Sequence, residues 1–150
     1  MIANSSITLS IDALVFDAYG TLFDVQSVAT LAERLFPGHG MALSQLWRAK
    51  QLEYTWLQSL MMSPMQRRED FAAITAHALD YAVEARGLPL QGAARHRLLD
   101  AYLDLTAFPD AVAALEQLGP LPRLILSNGT RGMLEPLAAA TGIAAHIDAI

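Results

Sequence analysis

Two short apolar runs stand out against long stretches of helical periodicity. Ala13-Leu14-Val15-Phe16 ends at Asp17 and is followed by Gly20, and Leu124-Ile125-Leu126 ends at Ser127-Asn128-Gly129. Runs this short, rich in aliphatic residues and closed by glycine turns, predict buried strands of a parallel sheet. The stretch between them predicts helices. One runs from about Ser27 to Phe36 and is stopped by Pro37-Gly38. The next, about Ala42 to Met61, repeats apolar residues at Leu43, Leu46, Trp47, Tyr54, Leu57 and Met61, with Pro64 just past its end. A third, about Asp70 to Arg86, carries Phe71, Ile74, Ala78, Tyr81, Ala82 and Ala85 on one stripe and stops at Gly87. A fourth spans about Ala93 to Leu105. Around the second strand, Asp110 to Leu118 and Met133 to Thr141 read as helices, and Pro136 fits only if it falls in a first turn.

Two parallel strands joined by so much helix predict an α/β fold: a Rossmann-like parallel-sheet core with a helical insertion after its first strand. His146 to Ile150 looks like the start of a third strand. Two parallel strands do not make a finished sheet, so the chain reads as the N-terminal part of something longer. Its 150 residues fit one domain carrying an insertion.

Composition narrows the class. Hydrophobic residues make up 53% and charged residues 17%, against about 25% charged in typical soluble domains. That content predicts a folded core rather than disorder. With 10 Lys+Arg against 15 Asp+Glu the formal charge is −5, which argues against a nucleic-acid partner. No apolar run is long enough to span a bilayer, and MIANSSITLS has neither the basic nor the apolar region of a signal peptide. Zero cysteines exclude disulfide and thiolate chemistry. The expectation is a soluble cytoplasmic protein.

The polar residues at the two strand ends carry the candidate chemistry. Asp17 sits where open α/β sheets place ligands. It could serve as a nucleophile, as a metal ligand, or merely as a turn cap. Ser127-Asn128-Gly129-Thr130 precedes a helix, where hydroxyl, amide and N–H groups suit an anion; alone, it reads equally as an ordinary N-cap. Arg48 lies away from the apolar stripe of its helix, sharing a face with Leu52, Thr55 and Ser59. It could clamp an anion over the crevice, or be a solvated residue near Glu53. His39, His77, His96 and His146 lack metal-ligand spacing. Trp47, Trp56 and Met61-Met62 read as packing residues.

Phe16-Asp17-Ala18-Tyr19-Gly20-Thr21-Leu22-Phe23-Asp24 resembles the first motif of the haloacid dehalogenase superfamily, whose leading Asp is the nucleophile. Ser127-Asn128-Gly129 resembles its second motif. Leu46-Trp47-Arg48-Ala49-Lys50-Gln51-Leu52-Glu53-Tyr54-Thr55-Trp56 resembles the cap helix of the 2-haloacid dehalogenases. Most of the superfamily are magnesium-dependent phosphatases with a second Asp two positions after the nucleophile and a backbone carbonyl that helps hold the metal. Here that position is Tyr19, as in the dehalogenases, whose halide leaving group needs no proton.

The resemblance implies hydrolysis of short (S)-2-haloacids to 2-hydroxyacids, with no metal or other cofactor. The substrate would be a 2-haloalkanoate together with water. Asp17 would attack the halogen-bearing carbon. Arg48 and Asn128 would cradle the halide, Thr21 and Ser127 would orient Asp17 and the incoming groups, and turn N–H groups would bind the substrate carboxylate. Tyr19, Leu52 and Phe71 would line an apolar pocket. The resemblance further implies a homodimer, a core from 1–25 and 107–150, and a cap over 26–106. The Lys and the Ser/Asn/Asp cluster that complete hydrolysis in the family would lie beyond Ile150. The alternatives are a magnesium-dependent phosphatase of the same fold or an inactive fragment.

Overall fold

The computed structural model describes residues 10–61 and 68–150. Pro64, Met62 and the leading nine residues, on which the helix-stop, packing and signal-peptide readings partly rested, lie outside the described residues.

The first predicted strand is β1, Leu14–Phe16. It pairs in parallel with the strand of the second apolar run, Arg123–Ile125, in the register Leu14↔Arg123 to Phe16↔Ile125. Between them the chain forms β2 (Phe23–Asp24), α1 (Ala29–Leu35), α2 (Gly40–Leu60), α3 (Phe71–Ala85), α4 (Gly92–Ala101), β3 (Thr106–Ala107) and α5 (Ala111–Gln117), which makes the second core strand β4. After β4 come α6 (Arg131–Ala140) and a 3-10 turn, Ile143–His146. The α/β expectation holds.

Several details differ from expectation, each for a physical reason. Val15 is 59% exposed, because β4 lies beside β1 while the Val15 face has no cover among the described residues. The predicted third strand is one parallel bridge, Leu124↔Ala149, held by Ile125 N–H to Ala149 O at 2.9 Å. The paired β2 and β3, Phe23↔Ala107 and Asp24↔Thr106, carry no periodicity signal because each is two residues long. They tie together the points where the chain leaves for the helices and returns. Asp24 accepts from Gln26 N–H at 2.8 Å and caps the 3-10 turn that follows.

Pro136 sits in the second turn of α6, not the first, because the Thr130 side chain starts this helix earlier by accepting from Met133 N–H. The bond that Pro136 cannot make belongs to the Gly132 carbonyl; both residues are exposed, so water can satisfy it.

The stripe of α2 is also not the predicted one. Its buried residues are Gly40, Leu43, Ser44, Trp47, Gln51 and Thr55, while Leu57 and Met61 face outward. On α3, likewise, Thr75, Leu79 and Val83 go inward and Tyr81 stays exposed. The two helices meet at a partly polar seam, where the Trp47 indole N–H donates to Thr75 O at 2.8 Å. Trp47, Tyr102, Leu43, Leu79 and Leu98 fill the helical part of the core, and Leu115, Leu134, Leu137 and Ile143 fill the sheet side. Each such side chain contributes about 1.5–3 kcal/mol relative to exposure. Tyr19 and Phe23 belong to the same continuous cluster, so the turn after β1 is built into the core.

Candidate active site

Asp17 follows the last residue of β1 and is exposed. Immediately after it the chain closes on itself: Leu22 and Phe23 N–H donate to Ala18 O at 2.9 and 3.0 Å, and Gly20 N–H donates to Phe23 O at 2.9 Å. Gly20 takes φ of +99°, a conformation that side chains with a Cβ rarely adopt. This turn directs Asp17 outward while burying Ala18 and Tyr19. Its amides from Gly20 to Phe23 are used inside the turn.

A crevice of about 340 Å³, its open mouth included, is lined by Asp17, Tyr19, Arg48, Leu52, Thr55, Trp56, Phe71, Ser127 and Asn128. The structure thus brings together seven of the eight residues singled out from the sequence. Thr21 is the exception: it is exposed in the turn and does not line the crevice.

Arg48 is half-buried. Its Nη2 donates to the Tyr19 carbonyl and its Nη1 to Gln51 Oε1, both at 2.7 Å. The solvated alternative near Glu53 fails, because Glu53 pairs with Lys50 at 2.7 Å instead. Lys50 also stands over the Tyr81 ring. Ser127 Oγ accepts from Gly129 N–H at 3.2 Å, shaping the turn after β4. A Cβ on Gly129 would lie 2.7 Å from Tyr19 Cε2, so only glycine lets the two turns approach this closely.

The Tyr19 ring packs against Phe71 with centroids 5.2 Å apart. Burial pushes its phenol well above the usual tyrosine range, with Tyr102 adding to the shift and Arg48 opposing it. The Tyr19 hydroxyl is buried and has no partner among the described residues. Burial likewise pushes Tyr102 up to about 12, against the pull of Arg48 and of its hydrogen bond to Gln51. Both phenols therefore stay protonated at neutral pH and can donate but not act as bases.

Sequence reasoning missed four contributors. Thr55 and Trp56 line the crevice; Thr55 shares the Arg48 face, but Trp56 had been assigned to packing and is in fact 62% exposed. Gln51 is fully buried, one turn beyond Trp47 on the buried stripe, and that spacing was the available signal. Arg68, just before α3, donates from Nη2 to Asn128 Oδ1 at 2.9 Å. No local pattern announces that contact.

Among the described residues no group of three or more His, Cys, Asp or Glu could hold a metal. The Tyr19 carbonyl, at the position that helps hold metal in the phosphatases, is taken by the Arg48 guanidinium. These residues do not fit a magnesium site.

The parallel strands present a carboxylate at a strand's carboxyl end, beneath a helix carrying a guanidinium, in an α/β arrangement. The chain belongs to the haloacid dehalogenase-like hydrolase family, whose model matches residues 11–150. It is 48% identical over 140 residues to the (S)-2-haloacid dehalogenase of Xanthobacter autotrophicus, covering 93% of this chain and 54% of that protein. The (S)-2-haloacid dehalogenase of Pseudomonas fluorescens is 46% identical, over 84% of this chain and 55% of its own length. The solved structure of the Xanthobacter autotrophicus L-2-haloacid dehalogenase superposes with a TM-score of 0.84 over 93% of this chain and 56% of that one. A second structure of that enzyme has chloropropionic acid covalently bound. The chain spans about half the length of the curated relatives it matches. Among the described residues no helix is long and apolar enough to cross a membrane.

Proposed function

We propose that the protein hydrolyses short (S)-2-haloacids to 2-hydroxyacids through an ester on Asp17. A carboxylate oxygen of Asp17 attacks C2 of the haloacid in line. The C–O bond forms as the carbon–halogen bond breaks, the halide leaves with the bonding pair, and the centre inverts. Water then attacks the ester carbonyl, releasing the 2-hydroxyacid and regenerating the carboxylate. Arg48 and the Asn128 amide stabilise the departing halide, where negative charge develops in the transition state. Tyr19, Leu52 and Phe71 exclude water around the alkyl chain. Ser127 and Thr21 orient the turns that carry Asp17 and Asn128. This reading divides the chain into a core of 1–25 and 107–150 and a cap of 26–106, and has the protein working in the cytoplasm as a homodimer without metal.

One observation carries it: Asp17, Arg48 and Asn128 converge on a crevice whose other walls include Tyr19, Leu52 and Phe71. A haloacid needs that combination of nucleophile, anion-binding groups and apolar lining. A phosphatase needs a proton donor for its leaving oxygen, and the Tyr19 phenol, raised by burial, is a poor one. The test measures halide release from (S)- and (R)-2-chloropropionate, with and without EDTA, beside phosphate release from p-nitrophenyl phosphate. Halide release from the S form, unaffected by EDTA, is the expected result. EDTA-sensitive phosphate release without halide would overturn the reading.

A further inference from the structure

We propose that Gln51, its amide locked by Thr75, is a positioning residue that holds the Arg48 guanidinium in the crevice with neutral acceptors. The polarity of this chain of bonds is decided at its far end. The Phe71 carbonyl can only accept, and Thr75 Oγ1 donates its single proton to it at 2.6 Å. Toward Gln51, then, the Thr75 oxygen can only accept, and Gln51 Nε2 donates to it at 2.6 Å. That fixes which end of the amide faces Arg48. Oε1 is left to accept from Arg48 Nη1 at 2.7 Å, with Tyr102 OH at 3.5 Å. Gln51 is fully buried and Thr75 is 2% exposed, so water does not compete for these bonds.

The guanidinium is therefore held at two corners, by Gln51 Oε1 and by the Tyr19 carbonyl. Both acceptors are uncharged. A carboxylate in place of Gln51 would hold Arg48 as firmly but pair with its charge, leaving less for an incoming anion. Two of the five guanidinium N–H groups are used in this way. Gln51 and Thr75 do not line the crevice and act only through Arg48.

The inference rests on Arg48 as the anion-binding residue of the proposed reaction, so its test has one arm that needs no substrate. Thr75→Val keeps the shape but removes the acceptor that locks the amide; Thr75→Ser keeps the hydroxyl. Gln51→Glu keeps an acceptor and adds charge. In the substrate-free protein, NMR of the Arg48 Nη protons should show separate, slowly exchanging signals in wild type and Thr75→Ser, averaged in Thr75→Val. In the kinetic arm, Thr75→Val should lower kcat/KM for halide release about tenfold, the order expected for loosening one hydrogen bond to a charged group. Thr75→Ser should recover most of that loss. Gln51→Glu should keep the separate Nη signals, yet lower kcat/KM by about a hundredfold and raise the inhibition constant for bromide.

Separate Nη signals and full activity in Thr75→Val would overturn the proposal. So would equal losses in Thr75→Ser and Thr75→Val, which would mean packing alone, or a Gln51→Glu protein that binds bromide as wild type does. If wild type released no halide, the dehalogenase reading would fail, while the NMR arm would still decide whether Thr75 and Gln51 hold Arg48.

Discussion

In the proposed reaction, Asp17 and Arg48 divide the chemistry at the scale of single residues. Asp17 is the sole carboxylate lining the crevice among the described residues, so no neighbour could replace it in the proposed attack. Asp17→Asn is expected to lower halide release below about 1% of wild type, roughly 3 kcal/mol of barrier. Substantially higher residual activity would refute the assignment. Arg48 bridges two acceptors with two different nitrogens. A lysine ammonium is one point on a flexible stem and cannot hold that planar arrangement. Arg48→Lys should therefore lose at least tenfold in kcat/KM although the charge is kept, and unchanged kinetics in both Arg48→Lys and Arg48→Ala would leave Arg48 a structural residue of the crevice wall. Asp17 and Arg48 were legible in the sequence through motif and helix face. Gln51 was legible only in its burial, from its spacing to Trp47; its role makes sense only once Thr75 is seen to face it.

Helices α3 and α4 are joined by a forked pair at the scale of elements. Arg95 Nε and Nη2 donate to Asp80 Oδ1 and Oδ2 at 2.6 and 2.8 Å. The Arg95 hydrogen bond holds the Asp80 carboxyl below the usual carboxylate range, against the opposing effect of burial. A lowered folded value means that the pair stabilises the fold above the unfolded pKa, and that this contribution is lost as pH falls through the folded value. With the side chains 33% and 45% exposed, screening keeps the contribution to about 0.5–1 kcal/mol. Asp80→Asn should lower Tm at pH 7, and the difference from wild type should close as the pH is taken below the folded pKa. A difference independent of pH would exclude the ion pair as its source. Helix positions were predictable here because Gly87 and Gly142, both at positive φ, close α3 and α6. The inward faces of α2 and α3 were less so, since Gln51 and Thr75 are buried polar side chains that satisfy each other across the seam.

Across the whole molecule, the crevice joins the turn after β1, helices α2 and α3, and the turn after β4. No lysine, histidine or second carboxylate lines it among the described residues. Lys50 is occupied by Glu53 and Tyr81. Attack on the haloacid needs only the nucleophile and anion-binding groups, whereas hydrolysis of the ester needs a group that activates water. Incubated with 2-chloropropionate, the 150-residue chain is expected to release at most one halide per molecule and to carry a stable adduct on Asp17, read by mass spectrometry. Steady multiple turnovers would show that some group within the chain activates water.

The sequence by itself determined the α/β order of elements, the strand end that carries Asp17, and the opposing turn at Ser127-Asn128. Each is a local matter of apolar run length, periodicity and turn residues, expressed by neighbours along the chain. Tertiary structure alone decided that Arg48 bonds the Tyr19 carbonyl, that Arg68 reaches Asn128, and that Thr75 orients Gln51. Those partners lie 29, 60 and 24 residues apart. Hydrogen bonds over such separations leave no periodic trace, because they form only after packing has brought the elements together.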